Sequence, residues 1–218
     1  LGVRAVDHLM LSHRDSDHVG GALSVLQALP VRSLSSSIEA SHGLLQQGVP
    51  HQPCVAGQRW QWDGVQFEVL HPQAVDGDRS AVKPNALSCV LRVQSANGRS
   101  VLLTGDIEAA QEAELVLAQR APLKSDVLVL AHHGSKTSSS AAWLDAVAPS
   151  VVAVQAGWRN RFGHPAPVVL ARLAERSLPL MRSDACGAWR WSSDPLAAGH
   201  ALCERQAAPR YWRHHPAP

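Results

Sequence analysis

No CxxC pair occurs in this chain, and its four Cys stand apart at positions 54, 89, 186 and 203. A zinc site built on paired thiolates is therefore not expected. No run of 18 apolar residues occurs, so these residues do not cross a membrane as a helix, and no signal peptide is visible. Charge of one sign is also scarce. A net charge of +2 on 218 residues does not by itself imply nucleic-acid binding. Lys is rare, at three of the 20 basic residues. From Arg159 onward the chain carries nine Arg against four acids. Arg holds phosphate with a planar fork, so this bias suits a polyanionic partner; a GC-rich genome explains it equally well.

What is present suits one globular domain with a loose tail: 45% of residues are apolar. The chain opens without Met on "LGVRAVDHLMLS", already heading into a strand. The expectation is a domain cut from a longer protein, so the lack of a targeting segment says nothing about location. Cys186 and Cys203 are a pair available for a disulfide in an oxidising compartment; two free thiols fit the sequence as well.

"VDHLMLS" reads as a buried strand, "GGALSVLQALP" as a helix, "VRSLSSS" as a strand and "IEASHGLLQQG" as a helix. "QRWQWDGVQFEVLHP" alternates on both sides of Asp63-Gly64, a hairpin signal. "ALSCVLRVQSANGRSVLLTGD" predicts two further strands, followed by a helix in "IEAAQEAELVLAQRA". "SDVLVLA" is a buried strand, "AAWLDAVAPS" a helix, "VVAVQAG" a strand and "PAPVVLARLAERS" a helix; "PLMRSD" and "GAWRWSS" close the regular part. The mixture predicts an α/β or α+β domain of sheets covered by helices over residues 1–194, with an irregular basic and aromatic tail over 195–218.

Polar residues gather just past the ends of apolar strands, where loops converge over a rigid edge. His13, Asp15, Asp17 and His18 follow "HLMLS", Asp106 follows "VLLTG", and His132 and His133 follow "DVLVLA". In a loop leaving a strand, the two-residue spacing of His13, Asp15 and Asp17, with His18 adjacent, offers ligands to two neighbouring ions. Carboxylate with imidazole suits zinc, manganese or iron(II). Either Asp alone reads better as a helix cap, whereas the four residues together read as a metal site. His8, His42, His51, His71 and His200 lack ligand-like company and receive no role; His214 and His215 lie in the tail. Trp189, Trp191, Tyr211 and Trp212, interleaved with Arg190, Arg210 and Arg213, read either as a nucleic-acid surface or, for the two Trp at alternate positions, as the core of a last strand.

The order "SHRDSDHVGG", "LLTGD", "AHHGS" resembles the metal-binding motifs of the metallo-β-lactamase superfamily, whose fold is an αββα sandwich. More narrowly, "LSHRDSDHVGGA", "NALSCVLRV", "VLLTGDIE", "DVLVLAHHGSKTSSS" and "NRFGHP" resemble the C-terminal domain of ComEC-type competence DNA-internalisation proteins, from about residue 5 to 192. The superfamily commonly has a second His where this chain has Asp15, and the ComEC-type branch has Asp. That harder oxygen ligand tilts the metal choice toward manganese over zinc. Relatives also have one or two strands before the first motif, which this chain is expected to lack.

The resemblance implies two divalent ions, Mn2+ or Zn2+, bridged by Asp106. His13 and Asp15 would hold one; Asp17, His18 and one of His132 and His133 the other. His132, nearer the strand end, is the favoured ligand, with His133 behind it. Asp17, Lys136 and His164 are candidates for the catalytic roles, His164 as a proton donor. Ser135, Lys136, Thr137, Asn160 and Arg161 are candidates for holding phosphate; Asn85 and Ser88 match a family motif and are expected to hydrogen-bond near the site. The implied activity is metal-dependent phosphodiester cleavage of DNA, single- or double-stranded, with no dinucleotide cofactor. The parent would be a bacterial inner-membrane protein whose channel lies in its other segments, with this soluble domain on the periplasmic or extracellular side. The competing readings are a lactonase or thioesterase on the same fold, and a DNA-binding module with a structural metal.

Overall fold

The computed structural model describes residues 2–74, 79–118, 123–194, 196 and 202–209. A small parallel sheet holds β1 (Leu9–Leu11), β2 (Leu34–Ser36) and β3 (His51–Pro53) in that order. Two short helices, α1 (Ser16–Val19) and α2 (Ala22–Ala28), connect β1 to β2. The larger sheet contains β4 (Arg59–Trp62), β5 (Val65–His71), β6 (Val90–Gln94), β7 (Ser100–Leu103), β8 (Val127–Val129), β9 (Val151–Val154) and β10 (Leu180–Arg182), ordered 10-9-8-7-6-5-4. Its β4 to β7 half is antiparallel and its β7 to β10 half parallel, the crossovers being α3 (Ala109–Ala118), α4 (Ala141–Val147) and α5 (Pro167–Glu175).

Strand alternation sorts the side chains into layers. Leu9 and Leu11 pack with Ala22, Leu26 and Leu34 under α2, whereas Met10 between them turns to Phe67, Val69 and Leu91 of the larger sheet. On β5 and β6, Leu70 and Val90 point the other way, to Leu115, Trp143, Leu144, Val147 and Leu173 of α3 to α5. The result is helix, sheet, sheet, helix. Trp143, Leu102, Leu128 and Val152 in the helix-facing layer are essentially inaccessible, and each buried aliphatic side chain there contributes about 1.5–3 kcal/mol of transfer free energy.

The Asp63-Gly64 hairpin forms with both residues at positive φ and Trp62 paired to Val65, which is the tight turn that sequence pair favours. "IEASHGLLQQG" departs from the helix expectation. It forms only a 3-10 turn over Gly43–Gln46, capped by His42, whose Nδ1 accepts from the Leu44 amide at 3.2 Å. Gly43 and Gly48 bracket too few residues to propagate a helix. β3 was not expected, because Pro50 and Pro53 obscure its pattern.

Cys54 and Cys89 form a disulfide between the loop after β3 and the start of β6, tying the two sheets together. Cys186 and Cys203 form another. It links α6 (Ser183–Cys186) to a separate two-stranded pair, β11 (Trp189–Arg190) with β12 (Leu202–Cys203), which leads into α7 (Glu204–Ala207). Residues 202–207 therefore carry regular structure, contrary to the expectation of an irregular tail from 195. Trp189 lies in a strand of this small pair and is half-buried, and Trp191 lies past the strand under the Arg99 guanidinium at 5.5 Å. Arg210, Tyr211, Trp212, Arg213, His214, His215 and His200 fall outside the described residues.

Candidate metal centre

The first motif, Asp106 and the His pair arrive from three strand ends. The β1 strand delivers His13, Asp15, Asp17 and His18; β7 delivers Asp106; β8 delivers His132 and His133. The loops meet closely at Gly105. A Cβ there would stand 2.9 Å from that of Ser88 and 3.0 Å from that of Ser12, and its φ of +54° is one L side chains rarely adopt. The Gly105 carbonyl accepts from the His132 amide at 3.1 Å. His132 and His133 both occupy the left-handed region, at φ 50° and 53°. For two consecutive non-glycine residues that is local strain, of a kind concentrated at functional sites.

Asp106 is the hub. Its carboxylate lies 3.2 Å from His18 Nε2, 3.7 Å from His133 Nε2, and 3.9 Å from the Nε2 atoms of both His13 and His132. Asp17 approaches His133 Nε2 at 3.1 Å and His18 Nε2 at 3.9 Å; Asp15 approaches His13 Nε2 at 3.6 Å. Two overlapping donor groups result, His13, His18 with Asp106, and Asp17, His18 with His133. His133, and not the favoured His132, is the member of the pair that meets Asp17 and His18. Its Nδ1 donates to the Gln155 carbonyl at 2.8 Å, which turns Nε2 inward. His132 Nδ1 instead faces the Glu108 carboxylate at 3.3 Å and the Thr137 hydroxyl at 3.4 Å.

These residues fit divalent cations. His13 is fully buried, and its Nε2 has no hydrogen-bond partner. The Nε2 atoms of His18 and His133 lie 3.3 Å apart, a crowding that a shared cation relieves and two protonated rings do not. Burial, reinforced by the neighbouring His18, lowers the His13 pKa to about 4, leaving a neutral ring with a lone pair to give. Burial works against the charged His18, yet the hydrogen bond and charge of Asp106 raise it above its ordinary value. Burial likewise opposes the Asp106 anion, but hydrogen bonding and charge from His18, with His133 and His13, hold its pKa below the usual carboxylate range.

The supporting residues are less legible in sequence. The Ser12 hydroxyl lies 3.0 Å from both His13 Nδ1 and His18 Nδ1. The Ser88 hydroxyl accepts from the Asp106 amide at 3.0 Å and lies 3.3 Å from His13 Nδ1. Buried His71 donates from Nδ1 to the Ser88 carbonyl at 2.8 Å, one layer below the cluster. Glu108 and Gln155 also belong to this set, and Gln155 acts through its backbone carbonyl, which no side-chain motif reveals. His8 and His51 are occupied elsewhere, by Ser33 and Ser36.

The candidates for substrate contact divide. Ser135 bonds Thr137, and Thr137 donates to Glu108 at 2.8 Å, so both hydroxyls brace the loop. Ser138 donates to the Ala131 carbonyl and Ser140 caps α4 through the Trp143 amide. Lys136 is exposed beside them. Asn160 spends its amide on its own loop, donating to the His164 carbonyl at 2.7 Å and accepting from the His164 amide at 2.9 Å. Asn85 opens a 3-10 turn that leads to Ser88. Arg161 is exposed, and His164 lines a cleft with Asp17, His133 and Phe162. Burial, then His132 and His133, lower the His164 pKa and favour its neutral ring.

The family model described as the metallo-beta-lactamase superfamily matches residues 1–158. The chain belongs to the metallo-β-lactamase superfamily. Members of this superfamily are mostly metal-dependent hydrolases and usually bind divalent metals. Within it, the chain is 39% identical over 216 residues to competence protein ComA of Neisseria gonorrhoeae, covering 99% of this chain and 29% of that protein. It is 38% identical over 168 residues to recombination protein 2 of Haemophilus influenzae, covering 77% and 20%. The chain thus spans under a third of the length of these relatives. Among solved structures it resembles CmlA, a diiron β-hydroxylase from Streptomyces venezuelae, at 13% identity, covering 83% of this chain and 44% of that one with a TM-score of 0.54. That likeness concerns the superfamily's mixed α/β fold alone. Among the described residues no helix is long and apolar enough to cross a membrane.

Proposed function

We propose that this chain is the metal-dependent phosphodiesterase domain of a DNA-uptake membrane protein, cleaving incoming DNA. The observation that carries the reading is the pair of donor groups overlapping at His18 and closing on Asp106, in a chain similar to competence proteins. His13, Asp15 and Asp106 would hold one divalent ion, and Asp17, His18, His133 and Asp106 the other. Such an ion pair supplies hydroxide near neutral pH and polarises a phosphoryl oxygen.

The chain's own residues do the rest. Asp106 stays anionic between four imidazoles. Gln155 fixes the ring of His133, and Glu108 that of His132. Lys136 and Arg161, both exposed on loops that lead to His132, His133 and His164, neutralise phosphate oxygens. His164, beside His132 at 5.9 Å between ring centres, hydrogen-bonds the leaving oxygen from a neutral ring. Pairing of all four Cys supports an oxidising location, outside the cytoplasmic membrane.

The test is cleavage of single- and double-stranded DNA by the purified chain with Mn2+ or Zn2+, beside an Asp17→Ala/His18→Ala variant. Metal-dependent cleavage lost in the variant is expected. Intact DNA binding with no metal-dependent cleavage by the parent chain overturns the reading.

A further inference from the structure

Two of the exposed aromatic rings among the described residues, Trp158 and Phe162, share one loop, and Phe162 borders the cleft at the donor cluster. The loop from Gly157 to Gly163 reads Gly-Trp-Arg-Asn-Arg-Phe-Gly. Trp158 is 49% exposed and Phe162 is 66% exposed. Each carries a guanidinium, Arg159 at 5.6 Å from the Trp158 ring centre and Arg161 at 4.8 Å from that of Phe162. Between Asp145 and Glu175 the chain has no acid, so nothing in this stretch offsets the Arg charges. The loop is preformed: Asn160 bonds Gly157 and His164 and holds its two ends together.

The rings also form a line into the cluster. Phe162 lies nearly parallel to His164, 18° apart with centres at 5.8 Å, and His164 stands 5.9 Å from His132. A cleft of about 380 Å³ beside this line is bounded by Asp17, His133, Asn160, Phe162 and His164.

We propose that loop 157–163 is a stacking platform for unpaired bases, holding single-stranded DNA so that a backbone phosphate lies over the donor cluster. The proposal rests on the phosphodiesterase reading and names its substrate. A solvent-facing aromatic ring stacks a base whose face is open, and in a duplex those faces are already stacked. A guanidinium lying on a ring keeps its N–H groups for phosphate. The spacing of ring, cleft and cluster then decides which phosphate is presented. A lactone or thioester needs neither the stacked rings nor the paired Arg.

The test measures binding of labelled single-stranded and duplex oligodeoxynucleotides by fluorescence anisotropy, in chelator so that nothing is cut. Phe162→Ala is expected to weaken single-strand binding about tenfold, one base's worth of stacking, and to leave duplex binding unchanged. Phe162→Trp restores the affinity, and Trp158→Ala gives a second, smaller loss. A 2-aminopurine base in the oligonucleotide reports stacking directly, its quenching being lost with Phe162→Ala. Single-strand affinity unchanged in both Ala variants, an equal loss for single strand and duplex, or no single-strand binding by the parent chain overturns the platform. Phe162-dependent binding without cleavage in metal sinks the phosphodiesterase reading and keeps the platform; cleavage with an unchanged KM in Phe162→Ala does the reverse.

Discussion

His18 and His133 bring their Nε2 atoms to 3.3 Å although 115 residues separate them in the chain. Neither ring is placed there by its own segment. His18 is oriented from behind by Ser12 and His133 by the Gln155 carbonyl, so two different strand ends aim two lone pairs at one point beside Asp106 and Asp17.

Metal should act on stability as well as activity. A cation at one hundred times its Kd stabilises a folded state by about 2.7 kcal/mol. For a domain of this size that is a rise in Tm of about 5–10 °C. Thermal melts with chelator, then with added Mn2+ or Zn2+, read it. The rise should vanish in the Asp17→Ala/His18→Ala variant; an equal rise there places the ions elsewhere.

The two adjacent His should not be equivalent. Calorimetric titration with Mn2+ or Zn2+ is expected to show His133→Ala losing about one equivalent of tightly bound metal. His132→Ala should retain the stoichiometry with affinity down about tenfold, the effect of a supporting residue. The reverse ranking would make His132 the ligand.

Gly105→Ala tests the convergence of the loops. The added methyl meets Ser88 and Ser12, in a left-handed backbone conformation. Overpacking and backbone strain together should cost about 2–4 kcal/mol, read in urea unfolding. Metal affinity should fall with it, because Ser88 and Ser12 set His13, His18 and Asp106.

Reducing the disulfides should loosen the sandwich. Cys54–Cys89 closes 35 residues across the two sheets, and the chain-entropy relation gives about 3–4 kcal/mol for such a loop. A Cys54→Ser/Cys89→Ser pair should lower the urea midpoint accordingly. The unreduced chain, unfolded in guanidinium, should show no thiol reactive to a colorimetric reagent.

Stability should carry a small acid-dependent component away from the metal centre. The hydrogen bond from Arg182, whose guanidinium grips Asp184 at 2.7 and 3.0 Å, holds the Asp184 carboxyl below its ordinary pKa against burial. A depressed carboxylate stabilises the fold above its unfolded pKa of about 3.9 and loses that contribution as pH falls through the folded value. The advantage of the parent over Asp184→Asn should therefore be constant near neutrality and shrink below about pH 4. A gap that widens toward acid would contradict the assignment.

The sequence by itself determined what depends on neighbours along the chain. Alternation in "QRWQWDGVQFEVLHP" and the Asp63-Gly64 pair specified a hairpin, because both signals are local. The spacing of His13, Asp15, Asp17 and His18 marked a donor loop, and "LLTGD" and "AHHGS" marked its partners. Only the tertiary structure decided how these parts are used. It brought His133 rather than His132 against Asp17 and His18, through the carbonyl of Gln155 just past the end of β9. It occupied Ser135, Thr137 and Asn160 in bracing their own loops, and it paired Cys54 with Cys89 across two sheets. It also carried Phe162 and His164 to the cluster as a line of rings. The physical reason is common to all of these. Ring orientation, disulfide partnering and the use of a hydroxyl are fixed by groups distant in sequence, through close packing at positions such as Gly105, where local pattern carries no information about which loops will meet.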